Sequence, residues 1–259
     1  MTVSAPSYKT ILVHLDESPQ CAVRVTFAAQ LAQAHGAHLV GLAAASAERA
    51  RAMTSEFEAS ARALGVASCE GRGVDDEPTG AIVRHGRTAD LIVLGQYDPD
   101  AKTSVGRGSA EDVILDSGRP VLLIPFVGRY QVPHEHALIA WRGTREAAVA
   151  IRDALPLLVR CKRTTLMRVL GAGEAQPPLE AELTETVRWL QRHGAGTVEV
   201  YDTHSHIDPG NVLLSRASDI GADLLIMGGY GHSRLREVVL GGVTRGLLEQ
   251  MTLPVLMSH

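Results

Sequence analysis

Short apolar runs alternate along this chain with longer amphipathic ones. The runs Thr10–Leu15 (TILVHL), His38–Ala44, Asp90–Gly95 and Val121–Ile124 have the length and the apolar content of strands covered on both faces, and Val66–Glu70 reads as a weaker one. Between them, helices are expected over about Pro19–His35, Ala47–Leu64, Val74–Gly86 and Ser109–Ser117. Ser18 reads as the N-cap of the first of these, with Gly36 as its stop, and Gly65 follows the second. Strand alternating with helix at this spacing means parallel pairing through right-handed crossovers.

The pattern then starts again. Ala89–Tyr97 (ADLIVLGQY) returns as Ala222–Tyr230 (ADLLIMGGY), and Arg119–Leu123 (RPVLL) as Leu253–Met257 (LPVLM). The opening strand returns as Ala137–Trp141. Strands near Thr164–Val169, Thr197–Asp202, Asp223–Met227 and Val255–Met257, with helices near Arg145–Val159, Leu179–Gln191, Pro209–Ile220 and Val243–Met251, complete a second copy. Phe126–Glu135 (FVGRYQVPHE) reads as the linker, which gives two α/β domains over residues 1–127 and 134–259, each a doubly wound five-stranded parallel sheet.

Composition narrows the function. At 259 residues and 45% hydrophobic content the chain can bury two ordinary cores. A net charge of −4 lacks the basic face that nucleic acid requires, and no apolar run has the length of a membrane span. Cys21, Cys69 and Cys161 show no paired spacing and fit a reducing compartment, so a cytoplasmic protein is expected.

A doubly wound sheet binds ligands outside the carboxyl ends of the strands where the winding reverses, here the first and fourth of each copy. In the first copy Asp16, Glu17 and Ser18 face Gly95; in the second Arg142, Gly143 and Thr144 face the stretch Gly228–Val243 (GGYGHSRLREVVLGGV). That stretch places glycines around a basic loop between a strand and a helix, where backbone amides and the helix dipole favour an anion such as phosphate.

Gly228, two residues, Gly231, nine residues and Gly241, set in a two-copy α/β chain, resemble the universal stress protein family in its tandem form. The resemblance implies a Rossmann-like, adenine-nucleotide alpha-hydrolase-like fold, two copies packed as a pseudo-dimer, a role in the stress response, and ATP or another adenine nucleotide as ligand. Carried over residue by residue, it makes Gly228, Gly231 and Gly241 phosphate-loop positions and Val243 a backbone contact. It also places an acidic residue after the first strand near the ribose and adenine.

The departures are equally specific. Gly242 stands where the family has serine or threonine, and the acidic position is Asp16 in the first copy but Arg142 in the second. The first copy has Gln96, Tyr97 and Asp98 where the loop's second glycine belongs, and Asp98 and Asp100 would repel a phosphate. The first domain therefore reads as structural, with Asp16 kept as a candidate contact. Arg234 and Arg236 neutralise phosphate or are solvated charges; Trp141 and Tyr230 stack on a base or are buried aromatics.

Two other chemistries are set aside. His204, His206 and Asp208 alternate like metal ligands but lack an evident fourth partner, so no metal is assigned. There is no G-x4-G-K-[ST] loop and no nucleophile paired with a base, so no enzyme is expected, a weak ATPase being the remote alternative. The reading is a stress-response protein that binds adenine nucleotide in its second domain, against a non-nucleotide interaction protein whose glycine loop is a relic. Protein partners and a homodimer stay open.

Val121–Ile124 and Val255–Met257 are apolar edge strands of the kind that aggregate unless covered, and the resemblance implies that they pack across a pseudo-two-fold. Separately expressed halves should dimerise or aggregate in sedimentation. Two well-behaved monomeric halves would contradict this.

Overall fold

The computed structural model describes residues 5–98, 106, 108–171, 180–229 and 242–259. The chain divides into two compact units, Ser7–Val132 and Pro133–His259, the latter joined by Ala5 and Pro6, and the Pro6 carbonyl accepts a 3.0 Å hydrogen bond from Arg160 Nη1.

The first unit runs β1 (Thr10–Leu15), α1 (Cys21–His35), β2 (His38–Ala44), α2 (Ala47–Ala63), β3 (Cys69–Val74), α3 (Pro78–Gly86), β4 (Leu91–Gly95), α4 (Ser109–Asp116) and β5 (Val121–Ile124). Its strands pair in parallel in the order β3-β2-β1-β4-β5. The second unit runs β6 (His136–Ala140), α5 (Arg145–Leu158), β7 (Arg163–Gly171), α6 (Glu180–Arg192), β8 (Thr197–Ser205), α7 (Pro209–Ile220), β9 (Leu224–Gly228), α8 (Gly242–Gln250) and β10 (Val255–Ser258). Its order, β8-β7-β6-β9-β10, repeats the first. Because the winding reverses after the third strand, right-handed crossovers put the first two helices of each unit on one face and the last two on the other. The central strands supply the core: Ile11, Leu12, Val13, Leu91, Ile92 and Val93 are buried in the first unit, and Ala137, Leu138, Leu224, Leu225 and Ile226 in the second.

The repeated Ala-Asp pair has a structural explanation. Asp90 Oδ2 accepts from the backbone N–H groups of Lys9 at 2.7 Å and Thr10 at 3.0 Å. Asp223 does the same at the equivalent place, Oδ2 accepting from Glu135 N at 2.8 Å and Oδ1 from His136 N at 3.0 Å. In each unit, then, the carboxylate ahead of the fourth strand pins the start of the first. A second repeated device caps the third helices: Glu77 accepts from Thr79 N and Gly80 N, and Asp208 from Gly210 N and Asn211 N, each just ahead of a proline at the first helical position.

Several expected boundaries move. α1 begins at Cys21, not Pro19, and Ser18 does not cap it, because its hydroxyl and N–H both go to Asp16. The weak strand lies at Cys69–Val74, where it pairs with β2, and α3 starts at Pro78 because Val74 belongs to that strand. β7 and β8 run longer than read, to Gly171 and Ser205, paired with each other along their full length.

Asp90→Ala and Asp223→Ala each strand two backbone donors and should cost about 1–3 kcal/mol in urea unfolding. Equal midpoints for wild type and variants would show that the clasp is decorative.

Candidate functional site

The ends of β1 and β4 in the first unit, and of β6 and β9 in the second, are equivalent places built differently. In the first unit Arg24, on α1, is 2% exposed and reaches back to the end of β1. Its Nε donates to the His14 carbonyl at 2.9 Å, and its Nη2 lies 2.9 Å from Asp16 Oδ2. Its Nη1 presses into the space where Gly95, the last residue of β4, would carry a Cβ. Asp16 Oδ1 accepts from Ser18 N at 3.0 Å and Ser18 Oγ at 2.5 Å. Asp16 thus sits at the expected rim, but its carboxylate is buried and engaged from within the chain.

Electrostatics here follows from burial and the one cation. Burial disfavours the Asp16 carboxylate, yet the Arg24 guanidinium, His14 and the Ser18 hydrogen bonds outweigh it and hold its pKa below the usual value. The His14 imidazole is pushed down to about 3 by burial and by Arg24, with Asp16 pulling weakly the other way.

In the second unit the residue equivalent to Arg24 is Ala150, fully buried. The volume over the strand-ending glycine is taken by the helix itself: a Cβ on Gly228 would lie 2.5 Å from the Glu146 carbonyl carbon and 2.6 Å from Ala147 N. Gly228 was expected to line a phosphate loop; its missing side chain is demanded first by the opening turn of α5. That turn starts on Thr144, whose Oγ1 accepts from Ala147 N, two residues earlier than its counterpart α1. Arg142 stands exposed at the rim where the first unit has Asp16. Glu182 of α6 reaches the same turn, its Oε1 2.7 Å from where a Cβ on Gly143 would be.

Gly242 is the first residue of α8, and Val243 follows it, half-buried, its carbonyl packed against Gly210 at the start of α7. A strand end at Gly228 and a helix start at Gly242 therefore bracket the glycine-spaced stretch as the spacing requires. Gly231, Gly241, Tyr230, Arg234 and Arg236 lie outside the described residues.

Strand register exposes a second contrast between the units. With the β1–β4 register continued two residues past its last pair, Val13–Val93, Ile124, Gly95, Leu15, Ala43 and Gly73 align in a lateral row across the first sheet near its carboxyl ends. The equivalent row in the second is Ser258, Gly228, Trp141, Arg168 and Asp202, with Trp141 one residue past the end of β6 and its N–H still donating to the Met167 carbonyl at 2.8 Å. Arg168 is 2% exposed, donates from Nε to Asp202 Oδ1 at 2.9 Å and pairs through Nη2 with Oδ2. The hydrogen bond to Asp202 raises the Arg168 pKa against the effect of burial. Arg168 Nη1, Trp141 Nε1 and Ser258 Oγ are buried without a hydrogen-bond partner. An apolar row has become a polar one with donors to spare.

Neither Arg24 nor Arg168 stands out in the sequence. The signal was a charge on an apolar stripe, since Arg24 shares a helix face with Ala28 and Leu31, and a lone charge inside the apolar strand that holds Arg168. The histidine cluster takes another course: Asp208 caps α7, and among the described residues no three His, Cys, Asp or Glu side chains gather around a metal position.

The model of the universal stress protein family matches residues 136–259, which include β6–β10 and the glycine-spaced stretch. The second unit belongs to the universal stress protein family. A universal stress protein of Synechocystis is 26% identical over 169 residues, which cover 64% of this chain. One from Methanocaldococcus jannaschii is 38% identical over 48 residues, or 18% of this chain. This chain spans 57% and 30% of the lengths of those two relatives. A universal stress protein from Archaeoglobus fulgidus shares the fold nearly end to end, with a TM-score of 0.71, 15% identity and coverage of 96% of this chain and 95% of that one.

Because folded His14 stays neutral while the unfolded chain protonates near 6.5, the stability that it contributes is complete above that pH. It is lost as pH falls toward 3, at up to about 1.4 kcal/mol per pH unit. Asp16, with its lowered pKa, adds loss in the same direction at the acid end. Urea unfolding at stepped pH should show a shallower decline between pH 6.5 and 4 in His14→Gln than in wild type. Identical slopes would contradict the burial of a neutral imidazole.

Proposed function

We propose that the second unit binds an adenine nucleotide, its phosphates against residues 228–243, and that the protein acts by this binding in the stress response rather than by turnover. The observation that carries the reading is that Gly228 ends β9 and Gly242 opens α8, with the family's glycine spacing in the sequence between them. A helix start there favours an anion. The unpartnered donors of Trp141 and Arg168, costly when buried alone, add support, since a nucleotide is rich in acceptors. Three free cysteines and the absence, among the described residues, of any helix long and apolar enough to cross a membrane are consistent with action in the cytoplasm.

Two residues favour a second reading, in which the loop is a relic and the surface recruits protein partners. Gly242 removes a hydroxyl donor, and Arg142 replaces the acid expected near the ribose.

Calorimetric titration with ATP, AMP and adenosine separates the two. Wild type should bind ATP weakly. Gly242→Ser should tighten ATP roughly tenfold for about 1.4 kcal/mol, with a steeper dependence on phosphate count than Arg142→Asp. Gly231→Val should abolish binding and leave the fold intact, because a branched side chain blocks a close backbone approach. If none of these proteins binds any of the three ligands at millimolar concentration, the interaction reading replaces the nucleotide one.

A further inference from the structure

The first unit carries the same rim as the second, yet its buried acid and its buried cation meet each other from inside the chain, Arg24 Nη2 lying 2.9 Å from Asp16 Oδ2. Arg24 lies across it, held by the His14 carbonyl on one side and the Asp16 carboxylate on the other, with both charged side chains 3% exposed. Its third nitrogen fills the space over Gly95 at the end of β4. The rest of the row, Leu15, Ala43, Gly73 and Ile124, is apolar or without a side chain and offers no other anchor for a polar ligand.

We propose that the first unit is a self-liganded site: the Arg24 guanidinium is its resident cation, which closes the unit to nucleotide. Three features of the chain are arranged around that head group. α1 starts two residues later than α5, so its first turn does not lie over the strand-ending glycine as the first turn of α5 does. Ser18, whose counterpart Thr144 caps its helix, instead donates twice to Asp16 and orients the carboxylate toward Arg24. Ala150 at the equivalent position shows that the fold itself does not require a cation there.

The site so formed is specific for a planar forked cation. A guanidinium reaches the backbone carbonyl by a hydrogen bond and the carboxylate by an ion pair from one rigid plane, whereas an ammonium is a compact point charge and cannot span them in that geometry. Removing the head group leaves a buried carboxylate without its cation beside a space of guanidinium size. The truncated protein should therefore take up free guanidinium ion from solution.

The test is thermal unfolding of Arg24→Ala in low-millimolar guanidinium chloride, with sodium chloride and tetramethylammonium chloride at equal ionic strength as controls. Arg24→Ala should melt about 10 °C below wild type. Guanidinium should restore much of that shift saturably while neither control salt does, and wild type should not respond. Adding Asp16→Asn to Arg24→Ala should abolish the restoration. Arg24→Lys, which keeps the charge and loses the fork, should melt below wild type and ignore guanidinium. Wild-type melting of either single variant overturns the proposal. So does a guanidinium response no larger than that to sodium, or one that survives Asp16→Asn. If Arg24→Ala folds under no condition, the Arg24→Lys melt decides alone.

Discussion

What lies over the glycine at the end of the fourth strand governs each half of this protein. Parallel strands that end side by side leave a narrow cleft above their carboxyl ends, and a strand-ending glycine lets another group descend into it. Over Gly95 that group is a guanidinium; over Gly228 it is the backbone of a helix turn. The first choice calls for a buried acid beside it and delays the helix. The second brings a capped helix start close to the strand ends and leaves the neighbouring row to polar side chains. From one folding pattern, two different chemical environments follow.

The scaffold itself was legible because hydrophobic spacing, glycine stops and the repeated Ala-Asp-Leu motif all report local or short-range physics. The strands of both copies emerge near their observed places, and Pro209–Ile220 appears with its bounds unchanged. Where the reading failed, a tertiary partner had overridden a local preference. Ser18 has the chemistry of an N-cap, but Asp16, held by Arg24, competes for its hydroxyl and wins. β3 is polar and glycine-rich, so the weak strand read at Val66–Glu70 is displaced, and its bounds at Cys69–Val74 are set by pairing with β2.

The candidate site was legible only in part, and for a related reason. Asp16 and Gly228 could be placed at the two rims from the strand pattern alone, whereas their partners could not. Arg24 approaches from eight residues along the chain, through a helix whose starting point the sequence misplaces. Arg168 is satisfied by Asp202 across a strand pair, a relation fixed by register and not by spacing. A buried charge carries its meaning in the opposite charge that meets it, and the meeting is made by the fold. Gly231 and Gly241 rest on the family spacing alone and lie outside the described residues.

The central proposal is an asymmetry: one half is open to a ligand from solution, while the other is filled by its own side chain. A crystal structure of the protein grown with ATP tests it most directly. The account predicts one nucleotide per chain, its phosphates at residues 228–243 of the second unit, with Arg24 unmoved between Asp16 and Gly95 in the first. Nucleotide density over Gly95, or Arg24 displaced from Asp16 by a bound ligand, would contradict it.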